Sequence, residues 1–199
     1  IVNSVDELDA GLAEGKNVGV AIDAKNFPDA GFREFVKERF DGYPYDSVLD
    51  ANELKRATFV NIYDNTSIKD LTGIAYLRYM TDLKCNGLGL KKLDVSRNTK
   101  LSYLWCQENA LTELDLSNNT ALIYLECYEN KLKILDIRNN TELNKVDCRD
   151  NEIEELFLGK GLMLKHLYCS NNNLRVLDVS QCKLLESLAC DINQIKELD

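Results

Sequence analysis

Apolar and polar positions alternate in a 21-residue pattern through the second half of the chain. One complete copy, LSYLWCQENALTELDLSNNTA, runs from Leu101 to Ala121, and further copies begin at Leu122, Leu143, Leu164 and Leu185. Within each copy a Leu-x-Cys segment has the period of two that predicts a strand with one buried face. A second apolar segment then returns along the opposite side. The repeat therefore predicts a solenoid with one strand per turn, stabilised by stacking of its turns.

Cysteine occupies the same inward position of the predicted strand in each turn. Six of the seven cysteines stand 21 residues apart: Cys85, Cys106, Cys127, Cys148, Cys169 and Cys190. Neighbouring parallel strands lie about 4.8 Å apart with equivalent side chains pointing the same way, whereas a disulfide needs Cβ atoms about 3.8 Å apart and facing each other. We therefore predict reduced thiols packed in the core rather than disulfides or a metal site. Cys182 lies off this interval, and we expect it to be less buried.

An asparagine follows five of the six ladder cysteines by three residues. These residues are Asn109, Asn130, Asn151, Asn172 and Asn193. The chain turns out of the strand there, and a buried amide can satisfy backbone groups that the turn leaves unpaired. A degraded copy with Leu88 in the asparagine position begins at Met80, and a longer first turn begins at Val60, so we count seven turns. The motif of the returning segment breaks at 156–161, which we interpret as tolerated drift.

The first 56 residues lack the repeat and carry helix signals instead. Capping-box spacing occurs at Ser4 with Glu7, before a helix predicted over about Val5 to Ala13, and again at Asp50 with Glu53. An apolar stripe at helical spacing is formed by Phe32, Phe35, Val36 and Phe40. Because a solenoid needs an atypical unit over its first open face, we predict a mainly helical cap.

The predicted fold class is thus an α/β solenoid with two parts. Residues 1–56 form the N-terminal cap, and residues 57–199 form the repeat solenoid, with its parallel strands on the concave face. Ile1 is not an initiator methionine, so we expect that a leader such as a secretory signal has been removed.

The formal net charge is −9, from 24 basic and 33 acidic side chains. Nucleic-acid binders gather Lys and Arg on one face, and the sequence shows no such cluster. An anionic membrane surface would repel the chain, and no apolar run approaches the roughly 18 residues of a membrane span. Composition therefore favours a protein, peptide or glycan partner, with no nucleic acid and no direct membrane insertion.

With this repeat, the chain resembles the bacterial leucine-rich repeat proteins built on 21-residue turns. Its cysteine is similar to the cysteine ladder of the internalin J type. The N-terminal stretch IDAKNFPD at 22–29, followed by Phe32 and Arg33, resembles the cap of many secreted repeat proteins of gut anaerobes. The resemblance implies a curved solenoid, export to the cell surface or beyond, and a binding role without a defined ligand.

The cap of that family often carries a calcium-loop-like segment before its last helix. The matching segment is GYPYDSVLDANE at 42–53. An EF-hand loop requires acidic or amide ligands at its first and third positions and glycine at its sixth, but Gly42, Pro44 and Ser47 stand there. We therefore expect no calcium, no other metal and no cofactor, and we interpret Asp50 and Glu53 as helix caps.

The outward positions of the cysteine strands form a grid of three columns. The first column is Asp82, Tyr103, Tyr124, Lys145, His166 and Ser187. The second column is Lys84, Trp105, Glu126, Asp147, Tyr168 and Ala189. The third column is Asn86, Gln107, Tyr128, Arg149, Ser170 and Asp191. Clustered exposed aromatic and Arg side chains are typical anchors of a binding face, although the same aromatics could instead stiffen the strands.

We predict that ten of these side chains form the ligand-binding site. They are Tyr103, Trp105, Tyr124, Glu126, Tyr128, Lys145, Asp147, Arg149, His166 and Tyr168. His166 could pair with Ser187 or Asp147, but adjacent flat strands offer no enclosed pocket for catalysis. The sequence therefore favours a non-enzymatic module that is secreted or on the cell surface and binds a protein or peptide, from a host or a cell surface. Glycan recognition and a structural or self-associating spacer remain alternatives.

Overall fold

The computed structural model describes residues 1–43, 45–63 and 65–196. Three α-helices lie in the first part of the chain: α1 Val5–Ala13, α2 Ala30–Phe40 and α3 Ala51–Arg56. Five strands precede residue 106: β1 Val20–Ala21, β2 Val48–Leu49, β3 Phe59–Asn61, β4 Asp82–Lys84 and β5 Tyr103–Trp105. Six follow: β6 Tyr124–Glu126, β7 Ile134–Asp136, β8 Lys145–Asp147, β9 Glu155–Phe157, β10 His166–Tyr168 and β11 Ser187–Ala189. A short 3₁₀ helix covers Ile74–Tyr76.

One seven-stranded parallel sheet runs the length of the solenoid, in the order β3-β4-β5-β6-β8-β10-β11. Its register places equivalent repeat positions side by side, so that Leu83 pairs with Leu104 and Leu104 with Leu125. The predicted parallel sheet with one strand per turn is confirmed. We call the face of this sheet that carries the three predicted columns the concave face.

A second, two-stranded parallel sheet lies on the opposite side of the solenoid. It consists of β7 and β9, and Asp136 pairs with Phe157. The returning segment around residue 156, interpreted from the sequence as drift, is therefore part of a strand. Gly159 lies so close to the preceding turn that an added Cβ would stand 2.6 Å from the Arg138 carbonyl oxygen. A glycine at this position is therefore required by the approach of two backbones.

The core lies between the sheet and the returning segments. In the turn that contains β5, Leu104 and Cys106 are fully buried from the sheet side, and Leu114 and Leu116 are buried from the other wall. The same hydrophobic cluster extends without a break into the cap and includes Phe32. The division of the chain at residue 56 stays a prediction, since the core is continuous across it.

The cap contains the three predicted helices, although they cover only 9, 11 and 6 of its residues. The predicted helix over Val5 to Ala13 is confirmed at both ends. The phenylalanine stripe lies on α2, which buries Phe32 and Phe40. β1 and β2 form an antiparallel pair beside the helices. The cap is thus a small mixed unit rather than the mainly helical one that the sequence predicted.

Two contacts of acidic side chains bind the cap to the first turns. Asp29 caps α2 and also accepts hydrogen bonds from the backbone N–H groups of Lys69 at 2.9 Å and Asp70 at 3.1 Å. Burial acts to raise the pKa of Asp29, but these backbone hydrogen bonds outweigh it and lower the pKa. Asp9 on α1 accepts two hydrogen bonds from Arg78, at 2.5 and 2.9 Å.

The segment that resembles a calcium loop is closed by hydrogen bonds of its own. Glu53 accepts from the backbone N–H of Asp50 at 2.9 Å and from that of Gly42 at 2.5 Å. Asp50 in turn accepts from the N–H of Glu53 at 2.8 Å, which completes the predicted capping box. Pro44, which entered the calcium argument, lies outside the described residues, as do residues 197–199 of the predicted solenoid.

No helix in the described ranges is long and apolar enough to cross a membrane.

Candidate binding surface on the concave face

Buried thiols pack in the core on the inner side of the sheet, behind the concave face. Cys85, Cys106, Cys127, Cys148 and Cys169 are all fully buried. All seven cysteines are free thiols. Burial raises the pKa of these five thiols well above the ordinary value, and for Cys169 to about 12. These five cysteines of the predicted reduced ladder are therefore protonated, apolar core residues.

Two cysteines depart from the sequence predictions. Cys182, expected to be less buried, is 6% exposed and so belongs to the core. Cys190 is half-buried, although it occupies a ladder position. Its strand β11 is the outermost strand of the sheet among the described residues and pairs with β10 alone there. Burial at a ladder position thus depends on a neighbouring turn on both sides.

The asparagines after the cysteines connect successive turns. The Asn130 amide donates to the carbonyl oxygens of Cys106 and Cys127, at 3.0 and 3.1 Å. Its Oδ1 accepts from the backbone N–H of Leu111 at 2.9 Å. The same pattern recurs at Asn109, Asn151, Asn172 and Asn193. The predicted role of these amides is confirmed, and each one also bridges to the preceding turn.

Three aromatic side chains form one cluster on β5 and β6. Tyr103 stacks on Trp105 with ring centroids 5.8 Å apart and planes 13° apart. Tyr124 closes the group, with its ring centroid 5.4 Å from that of Trp105 and 6.4 Å from that of Tyr103. Lys84 lies over the Trp105 ring at 4.6 Å. Tyr103 is 37% exposed, and the other two side chains are half-buried.

A polar group adjoins the aromatic cluster. Lys145 donates to the Tyr124 hydroxyl at 2.8 Å and to Glu126 at 3.1 Å, and the Tyr124 hydroxyl donates to Glu126. Burial raises the pKa of Tyr124, and the hydrogen bond to Glu126 raises it further. Burial acts to lower the pKa of Lys145, but the hydrogen bonds to Tyr124 and Glu126 outweigh it and raise the pKa. At neutral pH Lys145 is therefore an ammonium and Tyr124 a phenol.

A second ion pair lies beside this group. Arg149 donates to both oxygens of Asp147, at 2.9 and 2.7 Å. Its guanidinium also lies 5.8 Å from the ring centroids of both Tyr128 and Tyr168. Asp147 itself is only 3% exposed, which corrects its predicted place among the ligand-contacting side chains. A ligand would meet the Arg149 guanidinium, and Asp147 orients it from below.

The third column is less open than the alternation predicts. Gln107 and Ser170 are buried, although the alternation places them on the outward side. His166 stacks on Tyr168 with centroids 6.5 Å apart, and its Nδ1 is buried without a hydrogen-bond partner in the described part of the chain. His166 lies beside Ser187 in the sheet register, yet no described hydrogen bond joins it to Ser187 or Asp147. The sheet therefore places His166 and Ser187 side by side without a described hydrogen bond between them.

One repeated feature escaped the sequence interpretation. The second residue after each ladder cysteine has a positive φ, between 51° and 72°. The residues at this position are Gly87, Glu108, Glu129, Asp150, Asn171 and Ile192. Gly, Asn and Asp tolerate this left-handed conformation better than other residues. The recurrence of Gly, Asp and Asn at this repeat position could have predicted the left-handed conformation from the sequence.

Within the described ranges, no group of three His, Cys, Asp or Glu side chains is arranged to hold a metal ion.

The comparisons with known proteins agree with this geometry. InlJ from Listeria monocytogenes, whose functional domain includes a cysteine ladder, is 29% identical over 92% of this chain and 49% of its own, with a TM-score of 0.55. YopM from Yersinia enterocolitica is 28% identical over 63% of this chain and 27% of its own, with a TM-score of 0.50. The chain therefore has the leucine-rich repeat fold.

YopM from Yersinia pestis shares this leucine-rich repeat fold over 98% of the chain and 50% of its own length, at 20% identity and a TM-score of 0.62. The chain thus spans about half, or less, of the length of the solved structures described here. No protein-family description and no curated protein matches it. The likeness to secreted caps of gut anaerobes stays a prediction.

Proposed function

We propose that this leucine-rich repeat protein is a non-enzymatic recognition module that binds a protein or peptide on its concave face. Leucine-rich repeat folds of the internalin type are commonly protein-interaction modules, which supports a protein partner. The observation that carries the proposal is the continuity of the aromatic cluster with Lys145 and Arg149 over four adjacent strands, β5, β6, β8 and β10.

The chemistry of this surface suits a polypeptide. The exposed ring of Tyr103 and the half-buried Trp105 offer apolar area, which aromatic anchors contribute at binding hot spots. Lys145 and Arg149 are already oriented by Glu126 and Asp147, so a ligand would not have to order them on binding. The concave face therefore offers an apolar anchor and, beside it, two oriented cations for carboxylates or backbone carbonyl groups.

Glycan recognition is supported less well by the same residues. A sugar stacks on an open aromatic face, but Lys84 already lies over Trp105 and Lys145 lies over Tyr124 at 4.8 Å. A sugar would have to displace these cations. A structural or self-associating role is the remaining alternative. We place the protein outside the cell or on its surface, in keeping with its internalin-like fold.

The test compares partner capture by three immobilised proteins: the wild type, a Trp105→Ala/Tyr124→Ala variant and an Ile134→Ala variant. Ile134 is 52% exposed on the opposite side of the solenoid and serves as the matched control. Circular dichroism and thermal melting establish that all three are folded. We expect the wild type and the control to capture the same partner and the concave variant to lose it.

Equal capture by the concave variant would overturn the proposal. A glycan array probed with the wild type separates the sugar alternative: reproducible glycan signals that disappear in the concave variant would replace the peptide ligand by a glycan. Light scattering addresses self-association, because a monomer at high concentration argues against it.

A further inference from the structure

A groove with a basic rim opens where the cap meets the first turns of the solenoid, away from the concave face. Its volume is about 940 Å³. The buried side chains of Leu71, Ile74 and Leu93 form part of its lining. Four lysines also line it: Lys25, Lys69, Lys91 and Lys92. We call this feature the lysine groove.

The lysine groove concentrates positive charge in an acidic chain. It holds four of the 24 basic side chains but only two of the 33 acidic ones, in a chain of net charge −9. Lys69 donates to the Leu88 carbonyl oxygen at 2.8 Å, and Lys25 donates to Asn3 at 3.3 Å. In the described ranges, neither of these lysines nor Lys91 or Lys92 has a carboxylate within ion-pair distance.

The two acidic residues of the groove are engaged in local turns. Asp70 accepts from both the backbone N–H and the hydroxyl of Thr72, each at 2.8 Å. Asp94 accepts from the backbone N–H of Ser96 at 3.0 Å. These carboxylates stabilise the loops that shape the groove, and the ammonium groups remain available to a ligand.

We propose that the lysine groove binds an acidic peptide segment. Its apolar lining takes a leucine-like side chain, and the lysines bind carboxylates on either side of it. The volume lies at the upper end of the roughly 300–1,000 Å³ of ligand sites, large enough for several residues of an extended chain. Unpaired cations complement such a segment, and a peptide uses the apolar lining that a nucleic-acid backbone would not. This site is separate from the concave face and does not depend on its function.

The test uses a fluorescein-labelled peptide of alternating Glu and Leu, with a Gln and Leu peptide of equal length as the neutral probe. Fluorescence anisotropy measures binding to the whole chain at low and at high salt. We expect saturable binding of the acidic peptide, weakened by salt, and much weaker binding of the neutral one. The Lys91→Glu/Lys92→Glu variant should lose about tenfold or more in affinity, a loss of the size expected when charge complementarity is reversed.

Two variants serve as controls. Lys131→Glu/Lys183→Glu makes the same change of charge at exposed lysines outside the groove and should change affinity by less than about twofold. Trp105→Ala, on the concave face, should leave the affinity unchanged. The proposal is overturned by absence of saturable binding, by equal losses in both charge variants, or by an oligonucleotide of equal charge that binds more tightly than the peptide.

Discussion

The Asn130 side chain donates a hydrogen bond to the backbone carbonyl oxygen of Cys106, one turn earlier in the solenoid, over 3.0 Å. Both residues are buried, and the same contact joins Asn151 to Cys127 and Asn172 to Cys148. The cysteine and asparagine ladders are therefore one structure, in which small thiols leave room for the turns to stack and amides satisfy the backbone between them. This stacking fixes which side chains point outward to the concave face.

Replacing Asn130 by Ala should destabilise the protein, because three buried backbone groups would lose their hydrogen-bond partner. The Cys106 and Cys127 carbonyl oxygens and the Leu111 N–H would all lose a buried partner. We expect the free energy of unfolding to fall by about 3 kcal/mol, measured by urea denaturation. Asn118→Ala, at an exposed position on the other side, is the control and should change it by less than about 0.5 kcal/mol. Similar effects of both variants would contradict the bridging role.

The buried thiols should make the free energy of unfolding fall as pH rises into the alkaline range. A cysteine in the unfolded chain has a pKa of about 8.5, whereas burial raises the pKa of Cys127 well above its ordinary value. The unfolded state then binds fewer protons, so stability is fully present below pH 8.5 and is lost as pH rises toward the folded pKa. Each of the five fully buried ladder thiols, from Cys85 to Cys169, should contribute a loss of about 1.4 kcal/mol per pH unit in that window.

Urea denaturation at a series of pH values up to 10 measures this loss. Tyr and Lys also titrate as pH rises, so the comparison with Cys127→Ala isolates one thiol. The variant should lose stability less steeply by about 1.4 kcal/mol per pH unit. Equal slopes for the two proteins would show that Cys127 is already ionised or accessible in the folded state.

Ile192 occupies the left-handed position at φ 51°, which is unfavourable for a β-branched residue. Its side chain is 70% exposed, so little packing offsets that cost. Ile192→Asn should therefore raise the free energy of unfolding by about 1 kcal/mol. Val176 is 74% exposed but does not have a positive φ, and Val176→Asn should bring no gain. A gain at both positions would show that removal of an exposed apolar side chain, and not relief of backbone strain, stabilises the protein.

The ion pair between Asp9 and Arg78 should contribute more to the free energy of unfolding than the pair between Asp6 and Arg97, although both acids lie on α1. The Arg78 side chain is 16% exposed, so Asp9→Asn would leave a largely buried guanidinium with a weaker partner. We expect a loss of about 1–3 kcal/mol in thermal or urea unfolding. Asp6 pairs with Arg97 at 2.8 Å but is 77% exposed, and Asp6→Asn should cost less than about 0.5 kcal/mol. A larger cost at Asp6 would contradict this ranking.

The sequence predicted the sheet, the inward ladder and the capping helices, because each depends on a short local pattern. It did not predict the β7–β9 pair or the burial of Cys182, since both depend on how the returning segments of two turns approach each other. The columns of the concave face were likewise predicted by alternation alone. The burial of Asp147 beneath Arg149 was not, because it depends on side-chain conformations across neighbouring strands.

The lysine groove could not be predicted from the sequence either. Its lysines are separated by up to 67 positions along the chain, from Lys25 to Lys92, and no charge run marks them. Only the docking of the cap on the first turns brings them together. A charge distribution of this kind becomes visible in three dimensions.

Trp105 is the one tryptophan of the chain and lies within the proposed binding site, so it reports directly on the central claim. Protein labelled with 5-fluorotryptophan should give one ¹⁹F resonance, and titration with the captured partner should shift it until the site is saturated. The Ile134→Ala control should give the same shift. A partner that binds with full affinity yet leaves the Trp105 resonance unchanged would contradict recognition on the concave face.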